Sequence, residues 1–322
     1  MHCPTCQTDA RKFGKDRDGN QRYQCLTCRK TFSDRPTRPL GDMRLDMDRA
    51  LQCLKLLVEG MSVRATMRVT GVNRTTILDL MAFVGNNCER LMAARFVALP
   101  VKDVQVDEVW GFVGMKEKTR TRFYEGLDDV GDAYCFIGIE RTTKLILAWH
   151  LGRRSACDAH EFSRKLAAAT SGQFQVTTDG FKPYRTAIPA ALPTADYATL
   201  VKEYATKEDD HRYSPGEVSG VKKRAVNGNP EMGRACTSHV ERSNLTVRMQ
   251  DRRMTRLTNA FSKKWANLRA SHALHFAYYN FCRPHQTLTE QADGRKTTPA
   301  MAAGLESEPW TLRQLVERST QS

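Results

Sequence analysis

Four cysteines in two matched pairs constrain the start of this chain more than any other feature. Cys3-Pro4-Thr5-Cys6 and Cys25-Leu26-Thr27-Cys28 are separated by 18 residues, within the spacing of four-cysteine zinc sites. Two intervening residues let both sulfurs of a pair reach one ion, and four thiolates complete a tetrahedral shell. Residues 1–34 are too few to bury a core, so bound Zn²⁺ would supply the folding energy of this ribbon. The competing reading, redox or incidental cysteines, leaves the matching of the pairs unexplained. Arg22, Arg29 and Lys30 flank the pairs and suit either a phosphate backbone or a solvated surface. The other six cysteines are scattered and read as small core residues. Met1-His2-Cys3-Pro4 opens without an apolar signal region, and no stretch is apolar over a membrane-spanning length. The expected setting is therefore cytoplasmic, where thiols stay reduced.

Charge points to a partner. Fifty Lys and Arg face 36 Asp and Glu across 322 residues, a formal charge of +14, which favours a polyanion. Pro36, Pro39 and Gly41 mark a linker over 35–43. Beyond it, residues 44–98 carry helical periodicity (Met47, Leu51, Leu54, Val58), with Gly60 closing the first helix. A second, short helix starts near Ser62. Gly71 sits where a tight turn needs positive φ, and Asn73 is placed to cap a third helix. That order reads as a helix-turn-helix. Arg64, Asn73, Arg74, Thr75 and Thr76 would then face double-stranded DNA, with Arg74, Thr75 and Thr76 at the start of the recognition helix. An ordinary helical hairpin would use the same caps.

After Leu99-Pro100 the texture becomes mixed α/β. Strands are expected at 104–110, 133–139, 144–151 and 174–178, and a helix at 158–170. Residues 206–235 are polar, dotted with Gly and Pro, and read as an insertion. From about Ser238 to Tyr279 the pattern is helical. Three acids stand out. Asp107 lies inside an apolar strand, Asp179 ends one, and Glu241 lies early in a helix. Should they converge, they would form an oxygen cage suited to Mg²⁺ or Mn²⁺; otherwise they are three surface acids. Glu108 ranks below Asp107 because strand alternation puts them on opposite faces. Asp103 ranks lower too.

Several blocks together resemble the insertion sequence one (IS-one) family of bacterial transposases. Gln21 to Phe32 is similar to that family's ribbon, and Arg64-Ala65-Thr66 with Gly71-Val72 to its helix-turn-helix. Asp107-Glu108-Val109-Trp110-Gly111-Phe112-Val113-Gly114 resembles the strand bearing its first catalytic Asp. Thr178-Asp179-Gly180-Phe181 with Tyr184 resembles the second block. Glu241-Arg242-Ser243-Asn244-Leu245 through Arg256, then Phe261-Ser262-Lys263-Lys264, resembles the third. The resemblance implies a ribonuclease-H-like α/β core of the DDE integrase and transposase type over 101–290, with an Asp107–Asp179–Glu241 site for Mg²⁺ or Mn²⁺. A zinc ribbon (1–34) and an all-α helix-turn-helix (44–98) precede it, and a tail (291–322) follows. It also implies an enzyme that cleaves and joins the ends of its own element, working as a homo-oligomer on DNA. Arg248 falls where related transposases keep a basic residue against DNA. Arg242, Asn244, Arg248, Arg252, Arg253, Lys263 and Lys264, read as mostly one helical stretch, would contact DNA, and a solvated helix face is the plainer account. Phe281-Cys282-Arg283-Pro284-His285-Gln286-Thr287-Leu288 is similar to the tail of other integrase-like transposases. The rival function is a non-catalytic regulator that keeps the ribbon and helix-turn-helix without needing three acids.

Overall fold

The computed structural model describes residues 1–17, 19–33, 38–124, 126–204 and 218–321. Part of the linker, residues 35–37, and Asp34 at the end of the ribbon lie outside the described residues. So do residues 206–217 of the stretch read as an insertion.

The ribbon is an antiparallel sheet of β1 (Ala10–Lys15), β2 (Gln21–Cys25) and β3 (Thr31–Ser33). Tyr23 pairs with Phe32 across β2 and β3, and their rings stack 5.8 Å apart. Cys3 and Cys25 are its buried sulfurs.

Three helices follow, each begun by a side chain that takes up a free backbone N–H. Asp46 caps α1 (Met47–Val58), accepting from the amides of Asp48 and Arg49. Ser62 caps α2 (Val63–Thr70), and Asn73 caps α3 (Arg74–Arg95). Gly71 ends α2 with φ +69°, the left-handed conformation that the turn requires. At 22 residues, α3 is far longer than a recognition helix needs. Its second half packs against α8 (Trp265–Ala277) and α11 (Leu312–Thr320). Gly85 makes the close approach possible: a Cβ there would lie 2.2 Å from the Ala270 carbonyl oxygen.

The core is a six-stranded sheet ordered β11-β10-β9-β5-β6-β7. Short β4 (Leu99–Pro100) and β8 (Thr170–Ser171) pair separately. β5 (Asp103–Val113), β6 (Gly131–Glu140) and β7 (Ile146–Gly152) form an antiparallel meander, with α4 (Glu117–Phe123) between the first two. β9 (Gln175–Thr178) and β10 (Asp196–Tyr204) run parallel to β5. β11 (Val218–Asn227) returns antiparallel to β10 as the edge strand. The insertion reading is therefore corrected at 218–227, which belong to the central sheet; their exposed Lys222, Lys223 and Arg224 hid the strand behind polar composition.

Side-chain alternation divides the faces. Gly138 meets Phe162 and Leu166 of α5 (Ala156–Ala169), and Phe136 meets Tyr184 of α6 (Tyr184–Ala191). On the other face, Gln105 accepts the amides of His239 and Val240 at the start of α7 (Ser238–Gln250). α7 does not run on into α8. Asp251 ends it, and Arg252–Met254 forms one 3₁₀ turn, so the long helix expected over 238–279 is corrected to two helices. Asp251 is buried and accepts from Ser271 (3.0 Å) and His272 (2.9 Å), which makes the break part of the core.

The segment 291–322 is not a loose tail. After α9 (Gln286–Gln291) and α10 (Pro299–Ala302), Trp310 stacks on Phe281 at 4.4 Å, and α11 lies along α3. Residues of α1, α3, the central sheet, α8 and α11 share one hydrophobic cluster. The three helices and the sheet are thus a single packed body.

Candidate active site and metal centres

In the ribbon, the Cys3 and Cys28 sulfurs lie 3.7 Å apart and those of Cys6 and Cys25 3.3 Å apart. All four fall within 4.8 Å of one another. Sulfurs at about 2.3 Å from a tetrahedral zinc stand about 3.8 Å apart, so the four thiols fit one Zn²⁺. The Thr8 hydroxyl, then the Cys28 amide, hold the Cys25 thiol down at about 5, and the Thr5 amide lowers Cys3. At Cys28 the Lys30 amide is outweighed by burial and the neighbouring sulfurs, which push it up to about 11. Two of the four thus already favour the thiolate a metal needs.

In the core, the site follows from strand register. β9 ends at Thr178, which stands opposite Val106 of β5. One residue on, Asp179 comes level with Asp107 where no strand separates them. Asp107 points to the α7 face: its Oδ2 accepts from Asn244 Nδ2 at 2.8 Å. Glu108 points to the opposite face, where its Oε2 accepts from Arg154 Nε at 3.0 Å. Because β5 has no neighbour on that side here, Asp179 is within reach of both, and carboxylate oxygens of Asp107, Glu108 and Asp179 all lie within 4.8 Å. Alternation separates the directions of Asp107 and Glu108 but not their carboxylates, so Glu108 also belongs to the acidic cluster.

Glu241 lines the same cleft of about 560 Å³ with Asp107, Asp179, Arg154 and Lys202. Its Oε1 accepts from Thr237 Oγ1 (2.6 Å) and Lys202 Nζ (2.5 Å). It thus stands on the cleft wall, held by a cation, rather than inside the tight cluster.

The electrostatics are those of crowded acids. Burial, then the charges of Asp179 and Glu108, pushes Asp107 up to about 7. Burial and Asp179 likewise push Glu108 to about 7. Asp179 is also raised, chiefly by burial. Arg154 offsets part of this: it lies 3.8 Å from Asp179, and its guanidinium stacks over Phe181 at 4.5 Å. Among the described residues Asn244 Oδ1 and Glu108 Oε1 are buried without a well-formed hydrogen bond, although the Tyr184 hydroxyl is close enough to Glu108 to hold its carboxyl down in part. Clustered carboxylates with spare oxygens form a donor set that fits a hard divalent cation.

The expected DNA contacts are dispersed. Arg64, Arg74 and Thr75 are exposed and Thr76 is half-buried around the α2–α3 turn, while the Asn73 side chain is committed to the Thr75 amide. Arg242, Lys263 and Lys264 are exposed. Asn244 serves Asp107. Arg248 is half-buried, drawn down to about 10 by burial and then by Arg256, and reaches the Met254 carbonyl at 3.4 Å. Arg252 is half-buried, and Arg253 lies under α1, lining a small cavity with Leu57 and Val58. The break at Asp251 means these cations do not share one helical face, which corrects that expectation. Arg154 and Lys202 went unforeseen, because only strand pairing brings them to the acids.

No family model matches the chain, and no curated protein matches it. Among solved structures, endonuclease V from Bacillus subtilis aligns at 12% identity over 69% of this chain and 95% of its own, with a TM-score of 0.22. No helix among the described residues is long and apolar enough to cross a membrane.

Proposed function

We propose that this chain is a DNA transposase similar to the IS-one family, built on a ribonuclease-H-like core and acting through Asp107, Asp179 and Glu241. The observation that carries this reading is the meeting of Asp107 and Asp179 at the end of β9, with Glu241 of α7 on the same cleft wall. The sheet, an antiparallel meander with parallel strands added beside its first member, fits the core that the resemblance implies. In this reading the ribbon and the α2–α3 turn hold the ends of the element, and the cleft receives the phosphodiester.

Asp107 and Asp179, with Glu241, would hold Mg²⁺ or Mn²⁺, which neutralises charge on the phosphate and favours deprotonation of the attacking hydroxyl. The chain's own groups do the rest. Asn244 orients Asp107 by its hydrogen bond. Thr237 fixes the Glu241 carboxylate, and Lys202 balances its charge. Arg154 lines the cleft as a cation for a phosphate oxygen.

A second reading of the third ligand rests on the cluster itself, where Glu108 rather than Glu241 accompanies the two aspartates. End cleavage in Mg²⁺ and Mn²⁺ separates the two. Asp107→Asn, Asp179→Asn and Glu241→Gln should each abolish cleavage and joining while duplex binding in EDTA persists. Glu108→Gln should retain cleavage. If Glu108→Gln is inactive and Glu241→Gln active, the third ligand is reassigned. Near wild-type cleavage by Asp107→Asn or Asp179→Asn removes that acid from the reaction and ends the three-acid reading, whereas no cleavage by the wild-type chain in either metal makes it a DNA-binding protein without this chemistry.

A further inference from the structure

α7 presents two opposite stripes. Glu241, Asn244 and Arg248 recur at helical spacing toward the carboxylate cleft. His239, Arg242, Ser243 and Thr246 recur on the far stripe and form one wall of a second cavity of about 340 Å³. Its other walls come from Lys144, after the β6–β7 turn, and from Tyr279, Arg283 and His285, between α8 and α9. No Asp or Glu lines it.

Two of the cations here lack the partners that surface cations usually have, while the third, Lys144, donates to the Arg141 carbonyl. Among the described residues, the Arg242 and Arg283 side chains have no ion pair or hydrogen bond. Arg283 Nη1 and His285 Nδ1 are buried without a partner, which is costly unless something supplies an acceptor. Lys144 Nζ contacts His239 Nδ1 at 3.3 Å; a neutral His239 accepts there and keeps its other ring nitrogen as a donor. Burial lowers Lys144, His239 and His285 alike, neighbouring cations lower the two histidines further, and the nearby Glu140 offsets only part of this at Lys144 and His239. Such mutual repulsion is unfavourable in an empty pocket and is relieved by an anion. The donors are two guanidiniums, an ammonium and two imidazoles, a set suited to a tetrahedral oxyanion with several acceptor oxygens. The Arg283-Pro284-His285 motif thereby acquires a role that the carboxylate cleft does not give it.

We propose that this cavity is a phosphate-binding site, separate from the carboxylate cleft and on the other side of α7 from it. Its ligand class is the phosphate oxyanion, either a phosphodiester of a DNA strand or the phosphate of a free small molecule. The DNA source rests on the proposed function; the phosphate chemistry does not.

The test uses the full chain in EDTA, so that it is independent of cleavage. Inorganic phosphate is titrated into wild-type protein while the imidazole resonances of its eight histidines are followed. His239 and His285 should shift saturably and the other six should not; Glu241→Gln, in the cleft, should behave alike. The Arg242→Gln/Arg283→Gln pair should lose these shifts. It should also bind a random-sequence duplex about tenfold more weakly, with a shallower salt dependence, by about 0.9 in log–log slope per lost phosphate contact. Phosphate-induced shifts with unchanged duplex affinity assign the pocket to a free phosphate compound. No shift of His239 or His285 with either phosphate or duplex overturns the proposal, and this arm needs no variant to fold. The outcome leaves the cleavage test untouched, so the two readings fail separately.

Discussion

Glu108 and Asp107 share a peptide bond and two opposite destinations, yet both feel Asp179 because the neighbouring strand stops short. Burial, with that crowding added to it, makes the Asp107 contribution to stability fall with rising pH. A carboxyl whose folded value is near 7, as for Asp107, holds its proton between about pH 4 and 7, where the unfolded chain has released it. The folded state therefore binds more protons across this window, and its stability declines as pH rises through it. Asp107→Asn should leave the metal-free melting temperature almost unchanged near pH 4 and raise it at pH 8, by on the order of 1–3 kcal/mol of stability. Melting curves at the two pH values check this; a variant less stable than wild type at pH 8 would mean that Asp107 is held by favourable contacts. At this scale strand, strand-end and helix positions singled out Asp107, Asp179 and Glu241 but left them open between an oxygen cage and surface acids, and only the resemblance joined them into one site. Arg154, with φ +66°, reaches back from beyond β7, and Lys202 sits on a strand with no clear alternation. Neither has a local pattern to betray it.

α3 shows what an element can conceal. Its start was legible from Gly71 and Asn73, since caps and left-handed turns are written in single residues. Its use of Gly85 was not, because the reason lies in Ala270, far along the chain. Gly→Ala in a helix ordinarily gains about 1 kcal/mol. Here the added methyl would meet a backbone oxygen at 2.2 Å, and only a shift of α3 from α8 relieves that. Overpacking of this kind costs about 1–3 kcal/mol, sometimes more, so the steric term wins. Gly85→Ala should lower the denaturation midpoint, whereas Ala94→Gly, at an exposed site on the same helix, should cost only its helix propensity. Equal or higher stability for Gly85→Ala would refute the close contact. The end of α7 was hidden for a similar reason: Asp251 in a helical pattern looks like a surface residue until His272 and Ser271 are seen to hold it.

Across the molecule, two separately packed parts emerge. None of the described residues of the ribbon joins the main hydrophobic cluster, so its order rests on its cysteines and short sheet. Removing zinc with a strong chelator should abolish the ribbon's dispersed NMR signals while leaving the principal calorimetric transition in place; a large fall in that transition would show the ribbon to be integral to the rest. The remaining helices and the sheet were expected as successive units, because hydrophobic period reveals elements but not which faces they share. In the folded chain α3 begins at the turn proposed to meet DNA and ends inside the packing of the half that carries the carboxylate cleft. A duplex gripped at that turn could not drift independently of the acids. On the proposed function the molecule would work as a caliper with one fixed jaw, in which the interval between the duplex at that turn and the phosphate in the cleft is set by rigid packing instead of by the slack of a tether.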